Sequence, residues 1–67
     1  MTQGRVDWYS TQIGYGFIVP DDGGERIFVH HSGIAGDGNK LLENGDKVAY
    51  KAVRSGQGME AKNVSKI

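Results

Sequence analysis

Two histidines stand side by side at His30 and His31, with Ser32 next and Asp37 a few residues on. Vicinal imidazoles bring a metal to mind, but neighbouring residues on a strand face opposite ways. The chain has no cysteine and no third ligand at useful spacing, so no structural or catalytic metal is expected. His31, Ser32 and Asp37 have the residue types of a nucleophilic triad. Nothing in the sequence supplies the strained nucleophile turn or the oxyanion site that a triad needs. Gly14-Tyr15-Gly16 lacks the third glycine that opens a helix in a dinucleotide-binding turn. The chain therefore does not read as an enzyme, and neither a cofactor nor a small-molecule substrate is expected. The aromatic residues offer different chemistry. Trp8, Tyr9, Tyr15, Phe17 and Phe28 crowd the N-terminal part of the chain, and only Tyr50 lies beyond them. Flat rings flanked by glycines suit the stacking of nucleobases, since every base has a π-face and each stack is worth roughly 1–3 kcal/mol.

Such rings need elements to present them. The apolar residues fall in short runs broken by Gly, Asp, Asn or Pro, and no stretch keeps the spacing of a three-turn helix. The runs predict strands at about 5–10, 15–19, 27–30, 47–54 and 60–65. Pro20-Asp21-Asp22-Gly23-Gly24 predicts a turn, through proline's fixed φ, aspartates that bond their own backbone and glycines that accept positive φ. Residues 55–58 predict another. Residues 33–46 form the longest connection, interrupted by Gly36, Gly38 and Gly45, with Ser32 placed to cap a single helical turn. Five strands on so short a chain favour a closed barrel, because closure removes exposed edges. The expected fold is all-β, a five-stranded antiparallel barrel.

Alternation then sorts the side chains. Val6, Ile18, Ile27, Val29, Ile34, Val48 and Val64 can fill the interior, with Tyr50 and Ala52 sharing the parity of Val48. That leaves Tyr15, Phe17, Phe28 and His30 outside, and an exposed ring cluster marks a binding surface. The alternative arrangement buries the rings and exposes the aliphatics, as large aromatics usually prefer. Gly14 and Gly16 weigh against it, since strand glycines mark the close approach of a ligand or another backbone.

Length and charge set the outer limits. Sixty-seven residues make one domain, spanning 1–67, whose folding buries only about 60% of the surface of the unfolded chain. Eight basic residues balance eight acidic ones, for zero formal charge, so charge alone does not announce a polyanionic partner. No apolar run is long enough for a transmembrane helix or the core of a signal peptide. No membrane partner is expected, and a cytoplasmic monomer is.

These residues also carry a family resemblance. Gly4-Arg5-Val6-Asp7-Trp8-Tyr9 resembles the opening strand of the bacterial cold-shock proteins. Gly14-Tyr15-Gly16-Phe17-Ile18 matches their first ribonucleoprotein motif, and Ile27-Phe28-Val29-His30 matches the second. Ser32-Gly33-Ile34, Gly45-Asp46-Lys47-Val48 and Ala61-Lys62-Asn63-Val64 follow in order, so the resemblance covers the whole chain. It implies an OB-fold and the binding of pyrimidine-rich single-stranded RNA and DNA. It also implies RNA-chaperone activity and regulation of transcription and translation. The implied stacking residues are Trp8, Tyr15, Phe17, Phe28 and His30. His31 stands beside them, and Arg5, Arg26 and Lys62 lie close in sequence to the motifs, or to a strand that could adjoin them, as candidate cations for phosphate. Simple alternation puts Trp8 on the face of Val6, so an outward tryptophan implies a bulge in the first strand.

Several positions depart from the family pattern. Asp7 and Ile13 stand where lysines are common, His31 and Asn39 where another ring is frequent, and Gln57 and Met59 replace an arginine and a proline. Arg26 sits where an aspartate is usual. The departures predict weaker binding over a shorter footprint, with a shallow salt dependence. His31 can still stack and, when protonated, adds a cation near phosphate; the alternative is a solvated side chain of little energetic weight. Lys40, Lys47, Lys51 and Arg54 read as a solvated face. The competing function is a protein-interaction module that uses the same rings to bind peptides.

Overall fold

The strands close on one another because each has one aliphatic face to hide. In the computed structural model, which describes residues 2–35, 42–56 and 58–67, five strands form a closed barrel in the order β1-β2-β3-β5-β4. They are β1 Thr2–Ser10, β2 Tyr15–Pro20, β3 Ile27–His30, β4 Lys47–Ser55 and β5 Gly58–Lys66. The predicted strands are all present, and all but β3 are longer than alternation indicated. Four seams are antiparallel, and β4 returns to pair with β1. The remaining seam, β3 with β5, is parallel, aligning Phe28 with Glu60 and Val29 with Ala61. Sequence patterning gave no sign of that parallel seam.

The interior is filled as expected, with adjustments. Val6, Ile18, Ile27, Val29, Val48 and Val64 are buried, and Tyr50 is fully enclosed among them. Ile34 and Ala52 pack against this core while remaining half-exposed. Leu42 and Ala61 join it, although neither stood out in the sequence. Burying a Val or Ile side chain contributes roughly 1.5–3 kcal/mol, so this small set carries most of the stability.

Two irregularities let the sheet curl shut. On β1 the register with β2 shifts between Val6 and Trp8, leaving Asp7 as the extra residue. On the β4–β5 seam the register shifts between Ala49 and Lys51, beside Asn63, which has φ 55. Asparagine tolerates that left-handed conformation better than most residues. The turn after β2 closes through a Gly23 N–H donated to the Pro20 carbonyl at 3.1 Å. There the Asp22 carboxylate accepts from the Gly24 N–H at 2.9 Å.

The expected helical turn is a 3-10 turn at His31–Gly33, and its cap differs from expectation. His30, not Ser32, is the N-cap: its ring nitrogen Nδ1 accepts from the Ser32 backbone N–H at 3.3 Å. The Ser32 hydroxyl lies 2.9 Å from the same nitrogen. Ser32 is thus inside the turn and helps to orient His30. Asp37, Asn39, Lys40 and the glycines at 36 and 38 lie outside the described residues, as does Gln57.

Candidate nucleic-acid interface

The bulge at Asp7 decides which way the tryptophan faces. Without an extra residue Trp8 would follow Val6 into the core; with it, Val6 pairs with Ile18 and Trp8 pairs with Phe17. β2 and β3 then set Phe17 opposite Phe28 and Tyr15 opposite His30. Directly opposed residues share a face of the sheet, so these registers assemble one outward patch across β1, β2 and β3.

The rings form a continuous sheet of π-surface. Trp8 lies 5.8 Å from both Tyr15 and Phe17, centroid to centroid. Tyr15 is 5.5 Å and Phe17 is 5.9 Å from Phe28. Phe28 is followed by His30 at 6.4 Å, and His30 by His31 at 4.2 Å. Tyr15 is exposed, and Trp8, Phe17, Phe28 and His30 are half-buried, so each ring keeps surface in solvent while its edge is braced by neighbours. All five expected stacking residues and His31 are therefore together. The alternative with the rings inside does not occur.

The two glycines of the first motif work through the backbone. A Cβ on Gly16 would meet the Trp8 carbonyl oxygen at 2.2 Å and the Tyr9 Cα at 2.6 Å. Gly16 thus allows β1 and β2 to approach closely behind the rings. Gly14, at φ +82, lies under the His31 ring, and a Cβ there would touch that ring at 3.0 Å. The Gly14 carbonyl also accepts from the His31 N–H at 2.8 Å. Of the two readings of strand glycine, close approach of another backbone is the one that applies.

The expected cations all have partners. Arg5 donates to the Gly45 carbonyl at 3.3 Å. Lys62 pairs with Glu60 at 3.1 Å. Arg26 pairs with Asp7 at 3.0 Å, and its guanidinium carbon lies over the Phe17 ring, 5.3 Å from the centroid. Lys47 forms an ion pair with Asp21. Sequence reading overlooked the Glu60 carboxylate, which the parallel seam sets beside Phe28. Nor did it foresee that Met59, exposed, would extend the ring patch. A groove of about 510 Å³ runs from Phe17 and Phe28 to Ser55, Gly56, Met59 and Glu60. Burial raises the Tyr9 phenol above its ordinary pKa. Among the described residues, no three His, Cys, Asp or Glu side chains gather to hold a metal ion. No helix among them is long and apolar enough to cross a membrane.

A small closed barrel with rings displayed on three adjacent strands belongs to the class of OB-type nucleic-acid-binding domains. Comparison with known proteins defines it further. A family model described as 'Cold-shock' DNA-binding domain matches residues 2–67. A cold shock-like protein, CspA of Stigmatella aurantiaca, is 43% identical over 67 residues, covering all of this chain and 98% of that protein. Cold shock protein CspD of Bacillus subtilis is 42% identical over the full length of both chains. Among solved structures, drosophila Unr CSD456 superposes with a TM-score of 0.80 at 18% identity, over 98% of this chain and 26% of that one; it bears on the fold alone. The chain belongs to the cold-shock domain family and is a nucleic-acid-binding protein.

Proposed function

We propose that the face made by Trp8, Tyr15, Phe17, Phe28 and His30 stacks successive bases of single-stranded RNA and DNA, within pyrimidine-rich strands. His31 extends the row, and Arg5, Arg26 and Lys62 border it. The observation that carries this reading is the unbroken ring row from Trp8 to His31, exposed on three neighbouring strands. The protein acts as a monomer, without catalysis, as an RNA chaperone and a regulator of transcription and translation in the cytoplasm. Holding bases on its rings keeps a strand from pairing with itself.

The magnitudes fit a reversible binder. Five rings at about 1–1.5 kcal/mol each supply roughly 5–7 kcal/mol of gross stacking, from which ordering of the flexible strand subtracts. A few phosphate contacts bring the total to about micromolar affinity. Salt dependence is shallow because the cations bordering the face are already engaged with Asp7, Glu60 or the Gly45 carbonyl.

Titrating Trp8 fluorescence with heptathymidylate, beside a matched duplex, tests the reading. Strong quenching by the single strand and little by the duplex is expected, since paired bases are stacked on each other and cannot reach the rings. No quenching at low salt would overturn base stacking and favour a peptide ligand for the same rings.

A further inference from the structure

Among the described residues, Arg26 is the one cation that lies over a ring of the row, and its position is at odds with a simple phosphate contact. Its guanidinium carbon is 5.3 Å from the centre of Phe17, where a base stacked on that ring would sit. Its Nη1 is held 3.0 Å from Asp7 Oδ2. Asp7 is there because it is the extra residue of the β1 bulge, between Val6 and Trp8. Both side chains are exposed, at 58% for Arg26 and 38% for Asp7, so the pair is weak and can be exchanged. A phosphate approaching Arg26 would also approach the Asp7 carboxylate, which repels it. A base arriving on Phe17 must instead displace the guanidinium from the ring face to the rim, where a carboxylate and a guanidinium then stand side by side.

Bases differ in how well they meet such a rim. A carboxylate offers two acceptors in one plane, and a guanidinium offers two parallel donors. Guanine alone presents two adjacent N–H donors, at N1 and N2, next to two acceptors, at O6 and N7. Adenine shows one amino group, and its ring nitrogens have no hydrogen to give a carboxylate. Thymine and uracil place their single N–H between two carbonyl oxygens, one of which then faces the carboxylate. Arginine to guanine O6 and N7 is a recurrent bidentate contact.

We propose that Asp7 and Arg26 make the Phe17 position a guanine-reading site within an otherwise pyrimidine-accepting strand, with Asp7 taking N1–H and N2–H and Arg26 donating to O6 and N7. The proposal rests on the base-stacking reading above. It gives the pair a role in selecting one base, distinct from holding the backbone.

The test uses Trp8 fluorescence with the full chain and heptathymidylate, and the same heptamer with a central guanine, adenine, hypoxanthine or 7-deazaguanine. The central guanine should bind about 5- to 10-fold more tightly than adenine. Hypoxanthine, which lacks the N2 amino group, and 7-deazaguanine, which lacks the N7 acceptor, should each lose part of that advantage. In Asp7→Ala and in Arg26→Gln the guanine-to-adenine ratio should fall to near one. Equal binding of guanine and adenine by the unaltered protein would overturn the proposal, as would a ratio that survives Asp7→Ala. The altered bases probe the site without altering the protein, so a variant that fails to fold does not decide the matter. If heptathymidylate binds but guanine gains nothing, only this proposal falls. If no heptamer binds, the stacking reading falls with it.

Discussion

Phe17 and Phe28 face each other across β2 and β3 and lie at the centre of the ring row. Each is braced by its neighbours, so truncation removes a stacking surface and leaves the barrel closed. Phe17→Ala or Phe28→Ala should cost about 1–3 kcal/mol in single-strand affinity, read as a shift in the Trp8 titration midpoint, with the urea unfolding midpoint moving much less. Tyr50 is a different case. Its side chain is fully enclosed, and its hydroxyl has no hydrogen-bond partner among the described residues. Burial, with the nearby Asp22 and Asp21 carboxylates, pushes its pKa above the usual phenol value of 10.0. A raised folded-state pKa means that the stabilising neutral form is complete below about pH 10 and is lost as pH rises through the folded value. Tyr50→Phe should therefore raise stability by up to about 1 kcal/mol at neutral pH, seen in the urea midpoint. It should also reduce the alkaline loss that the unaltered protein shows above about pH 10, leaving the part that the raised Tyr9 phenol contributes. An undiminished loss in the variant would place its origin elsewhere.

At the level of elements, the β1–β2 hairpin carries the greatest demand. β1 must bulge at Asp7 to present Trp8 outward while Val6 stays inside, and β2 must come close enough behind it that only glycine fits at position 16. Gly16→Ala would press a methyl group into the Trp8 and Tyr9 backbone, so it should destabilise the fold by at least about 2 kcal/mol. Thermal unfolding measures this, and a near-neutral result would show that the hairpin yields more easily than its geometry indicates. The loop before β4 is held by Asp46, whose carboxylate accepts from the Glu43 N–H at 3.0 Å and pairs with Lys66 at 3.1 Å. Those two bonds, the backbone one foremost, hold the Asp46 carboxyl below its ordinary pKa of 3.8. A depressed folded-state pKa gives stability that is present above the ordinary value and lost as pH falls through the folded one. Urea midpoints taken from about pH 7 down to about pH 2 should decline at the acid end. The decline should be visibly flatter in Asp46→Asn.

For the whole molecule, charge is arranged so that half of the eight cations are tied to the protein's own carboxylates. Arg26, Lys47, Lys62 and Lys66 each pair with a carboxylate, in keeping with a formal net charge of zero. Binding should therefore weaken only slowly with salt. Each phosphate contact to a single strand adds roughly 0.7 to the log–log slope, and a slope steeper than about 3.5 in magnitude would contradict this arrangement. The sequence by itself indicated the strands and sorted the aliphatic residues and the rings onto opposite faces. Those follow from period-two alternation, from turn residues with definite backbone preferences and from two motifs that are local in the chain. The family resemblance, which implies an outward tryptophan, added an irregularity near Trp8, since a tryptophan and a valine of equal parity cannot face opposite ways on a regular strand. Only the tertiary structure decided which residue bulges, that β3 and β5 run parallel, and that Glu60 and Met59 adjoin the rings. It alone showed that Arg26, nineteen residues from Asp7 in sequence, reaches across to that carboxylate and covers Phe17. These are contacts between strands distant in the chain. Their geometry is set by how the barrel closes, and local side-chain pattern does not encode which edges meet.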